Sequence, residues 1–249
     1  MEFKREVDVS RIVLVDKPAG ITSFGVVAWV RRLLGVRKVG HAGTLDPLAT
    51  GLMILGAGRG TKELSKFVKL DKSYTTTVVL GVATESADAD GEVVDAVEAR
   101  EAWETLRADA AAETVSVEEW VTRAVYSIVG APELEVPAYS AIKRDGRPLH
   151  KLARRGRAMD LPKRVMRVYA AAPHGMGEDE YGYPTISFSV DVASGVYVRS
   201  LAVEIGRVLG LPAHVLTLRR TKVGEFVVED AVAPARVAQR YAGVDFDSK

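Results

Sequence analysis

Residues Gly40 to Gly51 read GHAGTLDPLATG. Neither a helical nor a strand period fits this string, which predicts a shaped loop. Gly40, Gly43 and Gly51 permit backbone angles that other residues avoid, and they let a ligand come close to the main chain. Pro47 pushes Asp46 away from the α region toward an extended conformation. Asp46 is therefore read as an acid on a stiff turn, with Leu45 and Leu48 partly desolvating it and raising its demand for a cation. An Asp-Pro in a glycine-rich loop is by itself an ordinary turn. What singles this one out is the full twelve-residue string.

Upstream, Ile12 to Val15 is a short apolar run that predicts a buried strand, and DKPAG follows as a turn. Thr22 or Ser23 can cap the next helix. Val26, Val27, Val30, Leu33 and Leu34 recur at helical spacing, and Gly35 ends it. Lys17 reads either as a surface lysine at a turn or as a group near a site.

Downstream, Leu52 to Leu55 reads as a strand. GAGRGT then resembles a fragment of a phosphate loop, but it lacks both GxxxxGK[ST] and GxGxxG spacing, so a plain turn before a helix at 62–70 is the stronger reading. Tyr74 to Val82 is a threonine- and valine-rich strand. A turn at 88–91 precedes acidic helices, the second opened by a capping box of Ser116 and Glu119. Ile186, Phe188, Val190 and Val192 alternate with polar residues, the period of a half-buried strand. A helix over 200–209 ends before Gly210 and Pro212, and a last short helix lies near 234–241.

The 249 residues are 47% hydrophobic and 27% charged, the balance of an ordinary globular chain. With no cysteine, disulfides, thiolate nucleophiles and cysteine-based zinc sites are excluded. No apolar run approaches a membrane span, and MEFKREVDVS lacks the apolar core of a signal peptide. A cytoplasmic protein is expected. Net charge is +1, but its distribution is uneven. Residues 85–135 hold 14 acids against 3 Lys/Arg, and residues 143–167 hold 10 Lys/Arg against 2 acids. The basic segment is either a solvated face or a phosphate-binding surface.

Six blocks in order carry a resemblance. GHAGTLDPLATG resembles GHxGxLDPxAxG, the catalytic loop of the TruB family of tRNA pseudouridine synthases, and DKPAGITS resembles that family's DKPxGxTS opening. EVPAYSAIK is similar to QxPPxYSAxK, and DGRPLHKLARRG to NGxxLYxLARxG. GVYVRSLAVEIG and HVLTLRRTKVGEF resemble GTYIRxLAxDxG and LxxLRRTxxGxF. The blocks span nearly all of residues 10–230. The resemblance implies an α+β fold with a mixed, largely antiparallel sheet and flanking helices. It also implies a single catalytic domain over 1–249 (core about 10–230), with no C-terminal domain of PUA type apparent.

The implied reaction isomerises a T-loop uridine of tRNA, position 55, to pseudouridine on a flipped-out base. It requires no cofactor and no metal. By resemblance Asp46 is the catalytic carboxylate, Arg199 its ion-pair partner, and Tyr74 the aromatic ring that stacks on the base and deprotonates the sugar. Leu218 lines the uracil pocket and His41 contacts RNA beside the extruded nucleotide. Lys17, Lys143, Arg154 and Arg155 are further RNA-binding candidates. The expected partner is the tRNA T-arm, the expected state a monomer away from membranes. The competing reading is an RNA-folding helper that binds the T-arm with little or no catalysis. A nucleotide-binding enzyme working through GAGRGT ranks below both.

Overall fold

The computed structural model describes residues 11–140, 142–144, 147–148 and 160–247. They gather into two compact units, residues 1–75 with 218–249, and residues 76–217.

In the first unit β1 (Ile12–Lys17) runs antiparallel to β3 (Thr50–Ala57), with Ile12 opposite Gly56 and Lys17 opposite Gly51. The other edge of β3 is shared. β2 (Val39–His41) pairs antiparallel with its end, while Arg219 and Arg220 of β13 (Ala213–Val223) lie parallel to Thr50 and Gly51 at its beginning. β3 is thus covered on both edges and both faces, which is why TGLMILGA is almost uninterruptedly apolar. α1 (Ser23–Leu34) buries Val26, Val27 and Val30, and Thr22 caps it by accepting from the Gly25 N–H. Ile12, Leu52, Ile54, Phe67, Val223 and Phe226 form the core, with the Phe67 and Phe226 rings edge to face at 5.5 Å. α2 (Leu64–Val68) supplies Phe67, and β14 (Phe226–Val227) folds Phe226 back onto β13. Near the end of the described chain, α6 (Val237–Arg240) precedes Tyr241, whose hydroxyl accepts from the Leu14 N–H.

The second unit is built on a long hairpin. β11 (Val168–Glu178) and β12 (Pro184–Val192) run antiparallel with two bulges, and β12 lies between β11 and β4 (Lys72–Leu80). β4 begins in the first unit and ends in the second, and β13 does the reverse. Three small ladders add β5 (Val82–Thr84) to β6 (Val93–Ala96), β7 (Glu133–Glu135) to β10 (Lys163–Val165), and β8 (Lys143–Arg144) to β9 (Arg147–Pro148). Helices α3 (Ala99–Ala112) and α4 (Val117–Ser127) pack together, and Ser116 caps α4 through the Glu119 N–H as the sequence predicts. α5 (Val198–Val208) buries Leu201, Ala202 and Ile205.

The fold is α+β, with a mixed, mostly antiparallel sheet and flanking helices. Among the described residues no helix is long and apolar enough to cross a membrane. GAGRGT becomes a 3-10 turn, Gly58–Lys62. Its glycines are there for close packing: a Cβ on Gly58 would run into the Phe246 backbone, and one on Gly60 into Arg11.

Candidate active site

The loop between β2 and β3 carries Asp46, and the first unit holds the main chain on both sides of it. Ser23, the first residue of α1, accepts from the Leu45 N–H at 2.8 Å and donates to the Leu45 carbonyl at 2.9 Å. Lys17 ends β1 fully buried, and its ammonium donates to the carbonyls of Pro18, Pro47 and Ala49 at 3.0, 2.9 and 2.6 Å. The Gly20 N–H shares the Pro47 carbonyl at 2.9 Å. Arg220, 1% exposed, donates to the carbonyls of Leu52, Thr44 and Gly43. A turn bond from the Ala49 N–H to the Asp46 carbonyl closes the loop. Leu45 and Ala49 are buried, Leu48 and Asp46 are partly buried, and Pro47 is exposed. Asp46 thus projects from a backbone whose neighbours cannot shift without breaking buried hydrogen bonds.

Gly51 explains why the string ends as it does. Its φ is +105°, and a Cβ there would overlap the Arg220 backbone. Only glycine lets β13 lie against β3 at this point.

Strand periodicity places two more predicted residues. Leu218 lies two positions before Arg220 on β13, so both side chains take the same face. Arg219 faces the other way and holds both oxygens of Asp16, at 3.0 and 2.8 Å. On β4, Lys72 and Tyr74 likewise share a buried face. Lys72 donates to the carbonyls of Val68 and Leu70. Burial is the main cause that pushes its pKa down from 10.5 to about 8, with repulsion from Arg220 second and Asp71 opposing. β4 lies beside β13, the strand that carries Leu218 and Arg220. His41, half buried, has its Nδ1 inside the protein without a well-formed hydrogen bond among the described residues. Burial lowers its pKa most, the Gly43 backbone offsets part of this, and Arg220 lowers it further.

In the second unit, Arg199 is the second residue of α5 and is 3% exposed. Its guanidinium donates to the carbonyls of Ser86 and Tyr139 at 2.7 and 3.0 Å and lies 3.5 Å from Asp88 Oδ2. Asp88 is buried too. Its Oδ1 accepts from Ser86 Oγ at 2.6 Å and from the Asp90 N–H at 3.2 Å. The turn holding Asp88 contains Ala87 at φ +59°, a conformation that alanine rarely adopts. Backbone bonds to Val215 fasten it on both sides. One cation therefore ties the 86–88 turn and the Tyr139 segment to α5. A cavity of about 690 Å³ in this unit is bordered by Glu85, Glu133, Glu135 and Glu204 against Lys163 and Arg207. Its acidic rim has the wrong sign for a phosphate chain.

The structure brings Asp46, His41, Tyr74, Leu218 and Lys17 into the first unit and Arg199 into the second. Lys17 is not the surface lysine that the sequence left open. It is fully buried, and its ammonium donates to three main-chain carbonyls, two of them in the loop. The side chain of Lys143, and Arg154 and Arg155, lie outside the described residues. Ser23 was read from sequence only as a possible helix cap, a part that Thr22 takes instead, and Arg220 and Asp88 were not singled out. Ser23 and Arg220 stand inside the quoted blocks, whereas Asp88 gives no signal beyond an acid in a turn.

Two expectations follow. Lys17→Met removes a donor from the Pro18, Pro47 and Ala49 carbonyls, of which Ala49's is buried and Pro47's keeps the Gly20 N–H, at about 1–3 kcal/mol, so thermal unfolding should come roughly 2–12 °C earlier. An unchanged melting temperature with full turnover would contradict the anchoring role. Lys72 sets a pH window. In the folded chain it loses its proton near pH 8, in the unfolded chain near 10.4. Between those values unfolding takes up a proton, so stability rises with pH, and the full cost of burying the charge is felt below about 8. The urea midpoint of the wild type, measured against Lys72→Met, should climb across that window. A flat difference would rule the shift out.

Family models match along the chain. Residues 31–198 match the TruB family pseudouridylate synthase N-terminal domain, and residues 199–245 the tRNA pseudouridylate synthase B C-terminal domain. The tRNA pseudouridine synthase B of Desulfotalea psychrophila is 43% identical over 222 residues, which is 89% of this chain and 85% of the relative. Its namesake in Corynebacterium efficiens is 40% identical over 223 residues, 90% and 70% of the two chains. Among solved structures, a chain of a Cbf5-Nop10-Gar1 complex superposes with a TM-score of 0.64 at 26% identity, covering 92% of this chain and 54% of that one. A chain of an H/ACA RNP bound to a substrate RNA containing 2′-deoxyuridine gives 0.62 at 23% identity and shares the fold, covering 94% and 54%. The chain spans about half the length of these two structures.

Proposed function

Since the chain belongs to the TruB family of pseudouridylate synthases, we propose that it converts the T-loop uridine of tRNA, position 55, to pseudouridine with Asp46 as its catalytic carboxylate. The reaction breaks the C1′–N1 bond, turns the uracil and joins C1′ to C5; the C5 proton leaves to solvent and N1 takes one up. Both routes open to a carboxylate, attack at C1′ and help for proton loss at C2′, start from an ionised, aimed Asp46. The observation that carries the reading is the double clamp on its backbone, by Ser23 before it and by Lys17 after it. A site that holds its reacting group before substrate arrives spends less binding energy on orientation. Tyr74, buried on β4, and Leu218, on the Arg220 face of β13, are the groups to hold the uracil, by stacking and by apolar contact. His41, uncharged near neutral pH by its lowered pKa, is suited to fill the gap the base leaves. The resemblance assigns Arg199 as the cation that keeps Asp46 charged.

The position is tested by incubating an unmodified tRNA transcript with the enzyme, labelling pseudouridine with a carbodiimide, and mapping stops in reverse transcription. A single new stop at the T-loop uridine is expected. Stops elsewhere in the transcript would reassign the target.

A further inference from the structure

Residues 18–45 contain Arg31, Arg32, Arg37 and Lys38 and not one Asp or Glu. α1 fills the middle of this stretch and turns its valines inward. Its outer stripe starts at Phe24, 71% exposed, and continues through Ala28 and Arg31 to Gly35, with Arg32 beside Arg31. All four cations are exposed, and none has an acidic partner among the described residues. Other surface helices differ: Arg100 is paired with Glu104, Arg123 with Glu119 and Arg207 with Glu204. α1 alone of these presents positive charge with no local neutralisation. Phe24 is equally unusual, since an exposed phenylalanine ring contributes nothing to the core. It follows Ser23, which grips Leu45 of the Asp46 loop, so Phe24 is one residue along the chain from that anchor.

We propose that the outer face of α1 is a track for an unpaired segment of the substrate RNA outside the target uridine, with Phe24 stacked on a base and Arg31 and Arg32 on phosphates. At about 1.5 Å per residue the arginines begin roughly 10 Å along the helix from the ring. Aromatic rings interleaved with unneutralised cations are the usual means of following a single strand. The charge suits a polyanion, and the aromatic suits a base better than it suits an acidic protein surface. The inference rests on the chain being an RNA-modifying enzyme, and it names where that RNA runs.

The test compares wild type with Phe24→Ala, Phe24→Tyr and the double variant Arg31→Ala/Arg32→Ala, using full-length unmodified tRNA for both turnover and filter binding. Phe24→Ala should raise KM and Kd about tenfold and leave kcat within about twofold, and Phe24→Tyr should restore both. The double arginine variant should flatten the plot of log Kd against log salt by about 1.4 to 1.8, two contacts at about 0.7 to 0.9 each. Unchanged KM, Kd and salt slope in the alanine variants would overturn the proposal and leave the face to another partner. Binding is read without turnover. If the wild type binds but does not react, the function reading falls, while the track stands or falls on the Kd values.

Discussion

Asp46→Asn is expected to bind RNA as tightly as the wild type and to form no pseudouridine, a loss of about 10⁴-fold or more. The substitution changes one oxygen for an amide and keeps the size of the side chain. The contacts that shape the loop come from the main chain at 43, 44, 45, 47 and 49 (to Arg220, Ser23, Lys17 and Gly20), so the loop should keep its form. What disappears is the negative charge, and neither attack at C1′ nor help at C2′ proceeds from a neutral amide. Circular dichroism and thermal melting should match the wild type within a few degrees. Measurable turnover in a folded Asp46→Asn would remove this residue from the chemistry.

The second large effect is expected at Arg199. Replacing it with methionine strips a buried cation from the Ser86 and Tyr139 carbonyls and leaves Asp88 as a buried carboxylate without it. Breaking such a pair from one side costs about 3–5 kcal/mol, or roughly 6–20 °C in melting temperature for a chain of this size. Turnover should fall with it, by about 10³-fold, because the same side chain is the proposed cation for Asp46. Arg199→Lys keeps the charge but not the planar fork, so it should recover part of the stability and little of the rate. A double-mutant cycle isolates the pair. Asp88→Asn added to Arg199→Met should cost far less than it does alone, a coupling within the range of about 0.5–3 kcal/mol. Strict additivity would mean that Asp88 and Arg199 act independently.

The sequence showed the loop, the α1 helix and the β12 strand for reasons that are local. Asp46 stands in a string whose glycines are needed where they occur, as Gly51 against Arg220 shows. α1 has a three-valine stripe, a threonine cap and a glycine stop, and β12 alternates cleanly. The buried cations were hidden because their partners are main-chain carbonyls far away in sequence. Lys17 looks like a turn lysine until Pro47 and Ala49 come to lie over it, and Arg220 looks like its surface neighbour Arg219 until the strand's alternation turns it inward. Asp88 escaped for the same reason, since nothing in a run of small and acidic residues indicates that Arg199 will arrive beside it. β11 was missed as a strand because VYAAAPHGMGE is alanine-rich, contains a proline and lies largely exposed.

The most direct test of the central claim is a single-turnover assay with enzyme in excess over an unmodified T-arm stem-loop that carries C5-tritiated uridine at the target position. Joining C1′ to C5 must expel that tritium whichever route Asp46 takes. The wild type should release one tritium per RNA, and Asp46→Asn none. A wild-type protein that binds both the stem-loop and full-length tRNA but releases tritium from neither would contradict the account and leave RNA folding as the activity.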